Sequence, residues 1–354
     1  MRDSNVTNVV YNDDVLLHPE TRGNPERPER FTAVMDSITK DWVCPSINLS
    51  VSQPATRDDV LLVHSAEHVA FVERVSKQGG GYLDAGDTRI SPLSVQAALA
   101  AVGASIEAVN TVVSGPSRKS FAVVRPPGHH ATPTQSMGFC IFNNVAIAAE
   151  YAVRRLGVKR VMILDFDVHH GNGTQDAFYH RKDVAFVSIH QAHAYPGTGL
   201  ESDTGTGDGV GATMNIPLPP KAGDADYIHV FESLVIPFIK RFAPELILVS
   251  AGYDAHPNNK KYVAGIDENL SLNGFYHISR IIAEVADEIC SGKVVGVLEG
   301  GYDLSSLADG VKQTLMAWAK EPNPHDATGR QSAETASEQV RTIVSRVHRY
   351  HELE

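Results

Sequence analysis

Cysteine is nearly absent from this chain: three residues in 354, Cys44, Cys140 and Cys290, lie far apart with no CxxC pair. That excludes a disulfide framework and a thiolate zinc site, so any metal must be held by oxygen and nitrogen ligands. Positive charge is in deficit too. Lys and Arg number 31 against 42 Asp and Glu, a net charge of −11. Binding to a nucleic-acid backbone needs a basic stripe, so no nucleic-acid partner is expected. An acidic surface suits cationic substrates instead, such as lysine-rich segments or polyamines. No run approaches the roughly 18 apolar residues of a membrane span, and Met1-Arg2-Asp3-Ser4-Asn5 lacks the apolar stretch of a signal peptide. The expectation is a cytoplasmic protein with no membrane partner. There is no internal repeat, and no Pro/Ser/Gly linker divides the chain before about residue 321.

What is present is an alternation. Phe121–Val124, Val161–Leu164, Val184–Ile189, Leu246–Val249 and Val294–Leu298 are short β-branched runs that read as buried strands. Between them Ser94–Val113, Asn143–Arg155, Asp224–Arg241, Leu272–Cys290 and Leu304–Ala319 read as helices. The pattern predicts an α/β fold with a central, mostly parallel sheet and helices on both faces. The length allows one large domain or two ordinary ones. From about residue 321 the chain turns polar. Val340, Ile343, Val344, Val347 and Tyr350 then recur at helical spacing, predicting a terminal amphipathic helix that docks on the body or on a second subunit. A homo-oligomer is left open.

The densest chemistry follows the strand Val161–Leu164: Asp165-Phe166-Asp167-Val168-His169-His170-Gly171-Asn172-Gly173-Thr174. Alternation puts Asp165, Asp167 and His169 on one side of an extended segment at the strand's carboxyl end, where open α/β sheets bind ligands. Two carboxylates and an imidazole there point to a divalent-metal site. Other strands also end in chemistry. Arg125-Pro126-Pro127-Gly128-His129-His130-Ala131, Ser250-Ala251-Gly252-Tyr253-Asp254-Ala255-His256 and Leu298-Glu299-Gly300-Gly301-Tyr302-Asp303 each follow a predicted strand. In a doubly wound sheet these endings share one crevice.

Together with Gly138-Phe139-Cys140-Ile141-Phe142-Asn143-Asn144, these motifs resemble the zinc-dependent histone deacetylase family, which includes acetylpolyamine amidohydrolases and bacterial deacetylase-like amidohydrolases. The resemblance runs from about Asn24 to Ala319, and SAGYDA and LEGGY are similar to its class II branch. It implies a single arginase-like α/β domain over residues 1–320, followed by the polar linker and helix of 321–354. It implies one Zn2+ held by Asp167, His169 and Asp254, with His130 as general base and acid. His129 would assist the water, and Asp165 and Asn172 would be the partners of His129 and His130. Asn172 stands where some relatives have Asp; lacking a charge, it should leave His130 the less basic of the two histidines. Tyr302 would donate to the substrate carbonyl and then to the oxyanion.

The resemblance also implies an acyl-lysine tunnel walled by Phe139 and Tyr195, with Gly138 and Gly300 beside the substrate. Asp87 would stand at the rim, with Asp84 the alternative, and Arg30 in an internal channel near the product acetate. A structural K+ would be held by Asp165, Asp167, His169, Ser188 and Ile189, and a second, outer site by backbone carbonyls of Phe178, Arg181 and Val184. His64 and His68 read as part of an amphipathic surface helix. His18, His180, His325, His348 and His351 read as solvent-facing, and His256 reads as either lining the rim or not. The activity so implied is removal of acetyl or other acyl groups from lysine side chains of proteins or peptides. The alternative is an acetylpolyamine or other small-amide deacetylase. Lys260 and Lys261 weigh against a free polyamine by repulsion. A non-catalytic acyl-lysine binding module is the reading from another class, and the presence of Tyr302, His130 and every metal ligand argues against it.

Overall fold

A computed structural model describes residues 6–19, 23–42, 44–326 and 330–353. The N-terminal pentapeptide considered above lies outside them. Ten strands are formed among the described residues: β1 Thr7–Tyr11, β2 Ile47–Val51, β3 Gly81–Tyr82, β4 Arg89–Ile90, β5 Lys119–Val123, β6 Val161–Asp165, β7 Val184–Gln191, β8 Thr213–Leu218, β9 Leu246–Ala251 and β10 Val294–Leu298. Eight build one parallel sheet in the order β2-β1-β5-β10-β9-β6-β7-β8, while β3 and β4 pair as a small antiparallel hairpin. The five predicted strands are present, and β5, β6, β7, β9 and β10 are buried along their whole length. Strands covered on both faces read as unbroken apolar runs, which is why they were legible. The three sheet strands not predicted break that pattern. β2 is a half-exposed edge strand. β8, at the opposite edge, mixes Thr213, Asn215 and Pro217 with its apolar residues, and proline is tolerated at an edge. β1 is buried but opens with the polar pair Thr7 and Asn8, leaving only Val9 and Val10 as an apolar run.

The helices are α1 Glu29–Asp36, α2 Arg57–Val60, α3 Ala66–Lys77, α4 Ser94–Val113, α5 Asn144–Leu156, α6 Asn172–Phe178, α7 Asp224–Val230, α8 Ile236–Phe242, α9 Leu272–Ile289, α10 Leu304–Ala319 and α11 Glu338–His351. The stretch expected as one helix over Asp224–Arg241 is split. Phe231–Val235 forms a wider π-type turn between α7 and α8. Pro237 follows at once, and its missing N–H cannot close the preceding ladder, so the backbone loosens there. α4 is long and apolar enough by composition to cross a membrane, yet it packs against β5 and α5 with most of its residues buried. α11 buries Val340, Ile343, Val344 and Val347 in the core of this same domain, and Ser337 N–H donates to Asp226 Oδ1 at 2.7 Å at its start.

Below the sheet's carboxyl edge lies a buried charge cluster that was not read from the sequence. Arg125 donates from Nε and Nη2 to the two oxygens of Glu26 at 2.8 and 2.7 Å, and Arg30 donates to Glu26 Oε1 at 3.3 Å. Burial works against the Glu26 charge, but Arg125, His18 and Arg30 outweigh it and hold the pKa at about 2. A carboxyl held below its unfolded value stabilises the fold above pH 4.5, and that contribution is lost as the pH falls toward about 2. Glu26→Gln should therefore cost about 3 kcal/mol at pH 7 by leaving two guanidinium groups without a charge partner. Urea unfolding should show the gap to the parent protein narrowing as the pH is lowered. Equal stabilities at pH 7 would contradict this account.

Candidate active site

The four strand endings singled out above belong to four consecutive strands, β5, β10, β9 and β6. That adjacency brings residues scattered over 174 positions, from His129 to Tyr302, into one crevice. After β6 the chain bends at residues 167–169 rather than staying extended as expected, Asp165 Oδ1 accepting from Asp167 N–H and Asp167 Oδ1 from His169 N–H. Asp167, His169 and Asp254 each present a ligand atom within 4.8 Å of the others, all buried. His169 Nδ1 lies 3.0 Å from Asp167 Oδ1 and 3.1 Å from Asp254 Oδ2.

The contact to Asp254 lacks hydrogen-bond geometry, so Asp254 Oδ2 is a buried oxygen with no hydrogen-bond partner. Its other oxygen accepts from Val168 N–H at 3.0 Å, and Asp167 Oδ2 accepts from Gly300 N–H at 2.8 Å. Two carboxylates and one imidazole, with an unsatisfied oxygen turned toward them, fit a divalent cation. Burial resists charging His169, but Asp167 and Asp254 push its pKa up to about 10, and a cation would take the place of that proton. Glycine is required at position 300, because a Cβ there would stand 2.3 Å from Asp254 Oδ2.

Two histidine pairs stand over this group. His129 Nδ1 is 3.0 Å from Asp165 Oδ2, and His130 Nδ1 is 2.8 Å from Asn172 Oδ1, the rings 4.0 Å apart. Both are buried, which favours the neutral ring. At His129 the carboxylates of Asp165 and Asp167 overcome that and push the pKa up to about 10. At His130 burial is reinforced by His129 and His169, and the pKa falls well below its ordinary value. The order is the one Asn172 implied.

Tyr302 lies almost fully buried in the same crevice, its ring 5.9 Å from that of Phe139 in a T-shaped contact. Burial raises the phenol well above its ordinary pKa, against the pull of Arg30, so the hydroxyl remains a proton donor. Arg30 is not solvated but fully buried. It donates to the carbonyls of Gly301 and Glu299, and its guanidinium lies 5.0 Å from the Tyr302 ring centre.

A cavity of about 250 Å³ leads down to these groups, walled by Phe139, Tyr195, Tyr262 and Val263 with Asp87 near its mouth. Gly138 lines it at φ +56°, where a Cβ would stand 2.4 Å from His130 Cδ2. Phe139 is held at φ +66°, strained for a residue with a side chain and located at the wall. The choice between Asp84 and Asp87 is decided by the loop. Asp84 Oδ1 accepts from the N–H groups of Gly86, Asp87 and Thr88, whereas Asp87 lines the cavity. Thr88 Oγ1 joins rim to wall, donating to Asp87 Oδ1 and accepting from Phe139 N–H.

The residues expected to hold K+ fall into two groups. Ser188 pairs in register with Asp165 across β6 and β7, with Ile189 next to it and Asp167 and His169 following β6. Phe178, Arg181 and Val184 gather at the turn from α6 into β7, where Arg181 N–H donates to Phe178 O and its side chain binds Asp183 and Glu150.

Several expectations are corrected. His64 and His68 are buried rather than on a surface helix face. His64 Nε2 accepts from Asn143 N–H at 2.8 Å, at the start of α5. His18 and His351 are buried too, His18 against Glu26 and His351 against Phe238. Histidine is half apolar ring, so its polarity alone does not place it outside. His180 and His325 are exposed and His348 partly so. His256 caps a short helical turn by accepting from Asn258 N–H and does not line the cavity. Lys260 is paired with Asp267, and Lys261 with Asp303 at 3.4 Å, so the argument that these lysines repel a polyamine loses its force.

Two positioning residues were missed. Glu299 Oε2 accepts from the N–H groups of Gly128 and His129 at 2.7 and 3.1 Å. Asn259 Oδ1 accepts from those of Tyr302 and Asp303 at 2.7 and 3.0 Å. Both fix the backbone beneath a site side chain. Glu299 had a signal, since an acid closing a buried strand needs partners; Asn259 had none.

The model of the histone deacetylase domain matches residues 24–318. The chain belongs to the histone deacetylase family. The rice (Oryza sativa subsp. japonica) histone deacetylase 10, chloroplastic, is 41% identical over 331 residues, covering 89% of this chain and 74% of that protein. A probable deacetylase of Archaeoglobus fulgidus is 39% identical, covering 84% of this chain and 82% of its own. A histone deacetylase-like amidohydrolase of Pseudomonas aeruginosa is 36% identical, covering 80% and 74%. The crystal structure of the HDA15 HD domain superposes with a TM-score of 0.87 at 31% identity, covering 98% of this chain and 95% of that one. Membership in this deacetylase and amidohydrolase family supports hydrolase activity.

Proposed function

We propose that the protein is a zinc-dependent deacetylase that hydrolyses acyl groups from lysine side chains of peptides or proteins. The observation that carries this is the buried Asp167–His169–Asp254 group at the foot of a narrow cavity, with the His129–His130 pair and the Tyr302 hydroxyl beside it. A zinc ion held by those three residues would polarise the amide carbonyl and make water acidic enough to be deprotonated near neutral pH. His130, kept neutral, takes the proton from the attacking water at its ring nitrogen facing the cavity and returns it to the leaving amine. His129, kept charged by Asp165, stabilises the negative charge that develops. Tyr302 donates its hydroxyl proton in a hydrogen bond to the carbonyl oxygen, a bond that strengthens as that oxygen becomes anionic. Phe139 and Tyr195 exclude water from the aliphatic chain, and Asp87 accepts from substrate N–H groups at the mouth. A monovalent cation beside Asp165 and Ser188 would offset the buried negative charge below the histidines.

A second reading, an acetylpolyamine deacetylase, is favoured by one observation: Lys260 and Lys261 are neutralised, while Asp84 and Asp87 stand at the mouth. The purified protein should contain about one zinc per chain. It should hydrolyse acetyl-lysine peptides faster than free acetylpolyamines, and a hydroxamate on an aliphatic linker should inhibit it. Full activity in chelator-stripped protein would refute the zinc assignment. A preference for the free polyamines would favour the second reading.

A further inference from the structure

We infer that the enzyme selects acylated lysines by the charge of the residues on either side of them, through two hollows of unlike charge that meet at Asp87, one carrying Arg89 and the other Asp84; the inference rests on the acyl-lysine reading above. The tunnel mouth is not a plain rim. One hollow of about 290 Å³ is lined by Pro25, Phe139, Tyr82 and Arg89. Another of about 510 Å³ is lined by Leu83, Asp84, Met137 and Tyr195. The two share Gly86 and Asp87 and otherwise have separate walls. The first borders the tunnel along its Pro25 and Phe139 wall, the second along its Tyr195 wall. A peptide held over the mouth by Asp87 would therefore lay the side chains preceding and following the acyl-lysine into different hollows.

Asp87 is common to both, so what distinguishes them is Arg89 in the first and Asp84 in the second. Arg89 is exposed, sits 5.9 Å from the Tyr82 ring centre and makes no ion pair among the described residues. A guanidinium backed by an aromatic face and not ion-paired to the Asp87 of the same hollow suits an acidic side chain, which it can bind with two parallel N–H donors. Tyr82 is 59% exposed and offers the apolar floor for that side chain's methylenes. Across Asp87 the charge is negative, from Asp84, which suits a basic side chain. The frame between them is stiff. Three backbone N–H groups converge on Asp84 Oδ1, and Thr88 ties the loop to Phe139. The hollows thus stay in register with the tunnel.

The test uses two isomeric peptides, with Glu before and Lys after an acetyl-lysine, or Lys before and Glu after. Their composition and net charge are identical, so the enzyme's overall negative charge treats them alike. The parent enzyme should prefer one order by about fivefold in kcat/KM, the size two exposed ion pairs produce, and high salt should shrink the preference. Arg89→Glu should erase or reverse the ratio. Rates for the two isomers within about twofold of each other, or a ratio unchanged in Arg89→Glu, would overturn the inference while leaving deacetylation intact. Failure to hydrolyse either isomer or an acetyl-lysine flanked by glycines, with turnover of small acetylamines, would overturn the acyl-lysine reading and this inference with it.

Discussion

Tyr302→Phe is expected to lower kcat on an acetyl-lysine peptide by roughly 10²- to 10³-fold, the loss that follows removal of one preformed oxyanion donor. The substitution removes only the hydroxyl. The ring keeps its T-shaped contact with Phe139 and its place beside Arg30, so folding and metal content should be unchanged. A ground-state amide oxygen is a weaker acceptor than the developing alkoxide, so KM should move little. A trifluoroacetyl substrate, whose tetrahedral adduct needs less help, should recover part of the rate. Single-turnover kinetics with zinc analysis on the same sample provides the check. Parent-like kcat with the acetyl substrate would remove Tyr302 from the mechanism.

Asp254→Asn should reduce activity to background and zinc content to near zero, because three ligands leave no redundancy. Its effect on stability should run the other way. Burial and the neighbouring Asp167 both raise the Asp254 pKa, so without a metal ion two carboxylates crowd one site with only the single charge of protonated His169 between them. The amide keeps an oxygen to accept from Val168 N–H and removes a charge from that pair. In chelator the variant should therefore be at least as stable as the parent in urea, while added zinc should stabilise only the parent. A variant that stays active, or that unfolds earlier than the metal-free parent, would show that the carboxylate serves packing rather than a cation. His169→Ala should lose zinc and activity equally but should also lose stability, since it strands both carboxylates without their shared partner.

Much of this site was legible because buried parallel strands and their endings are local signals. Asp165 closes one apolar run and Asp167 and His169 follow at alternate positions, a compact local signal even though the chain bends there instead of continuing the strand. The double histidine after β5 and the Gly-Gly-Tyr after β10 are similarly compact. Residues that act through backbone contacts left no such mark. Asn259 sits in a lysine-rich loop with nothing to separate it from a solvated turn, yet it is fully buried and holds the Tyr302 backbone. His64 and His68 misled because their four-residue spacing suggested one helix face, whereas His64 lies in the bend before α3 and only His68 is on the helix, on its buried side.

The sequence by itself determined the parallel α/β class, the strand endings that carry chemistry and the family resemblance with its residue roles, since each depends on neighbours within a few positions. Only the tertiary structure decided that β5, β10, β9 and β6 lie side by side, that Arg30 is buried under Tyr302, that Asp87 rather than Asp84 lines the tunnel, and that Lys260 and Lys261 are spent on Asp267 and Asp303. Strand order, burial and ion pairing depend on contacts between segments far apart in the chain, and no local pattern encodes which of the sterically allowed partners a side chain will meet.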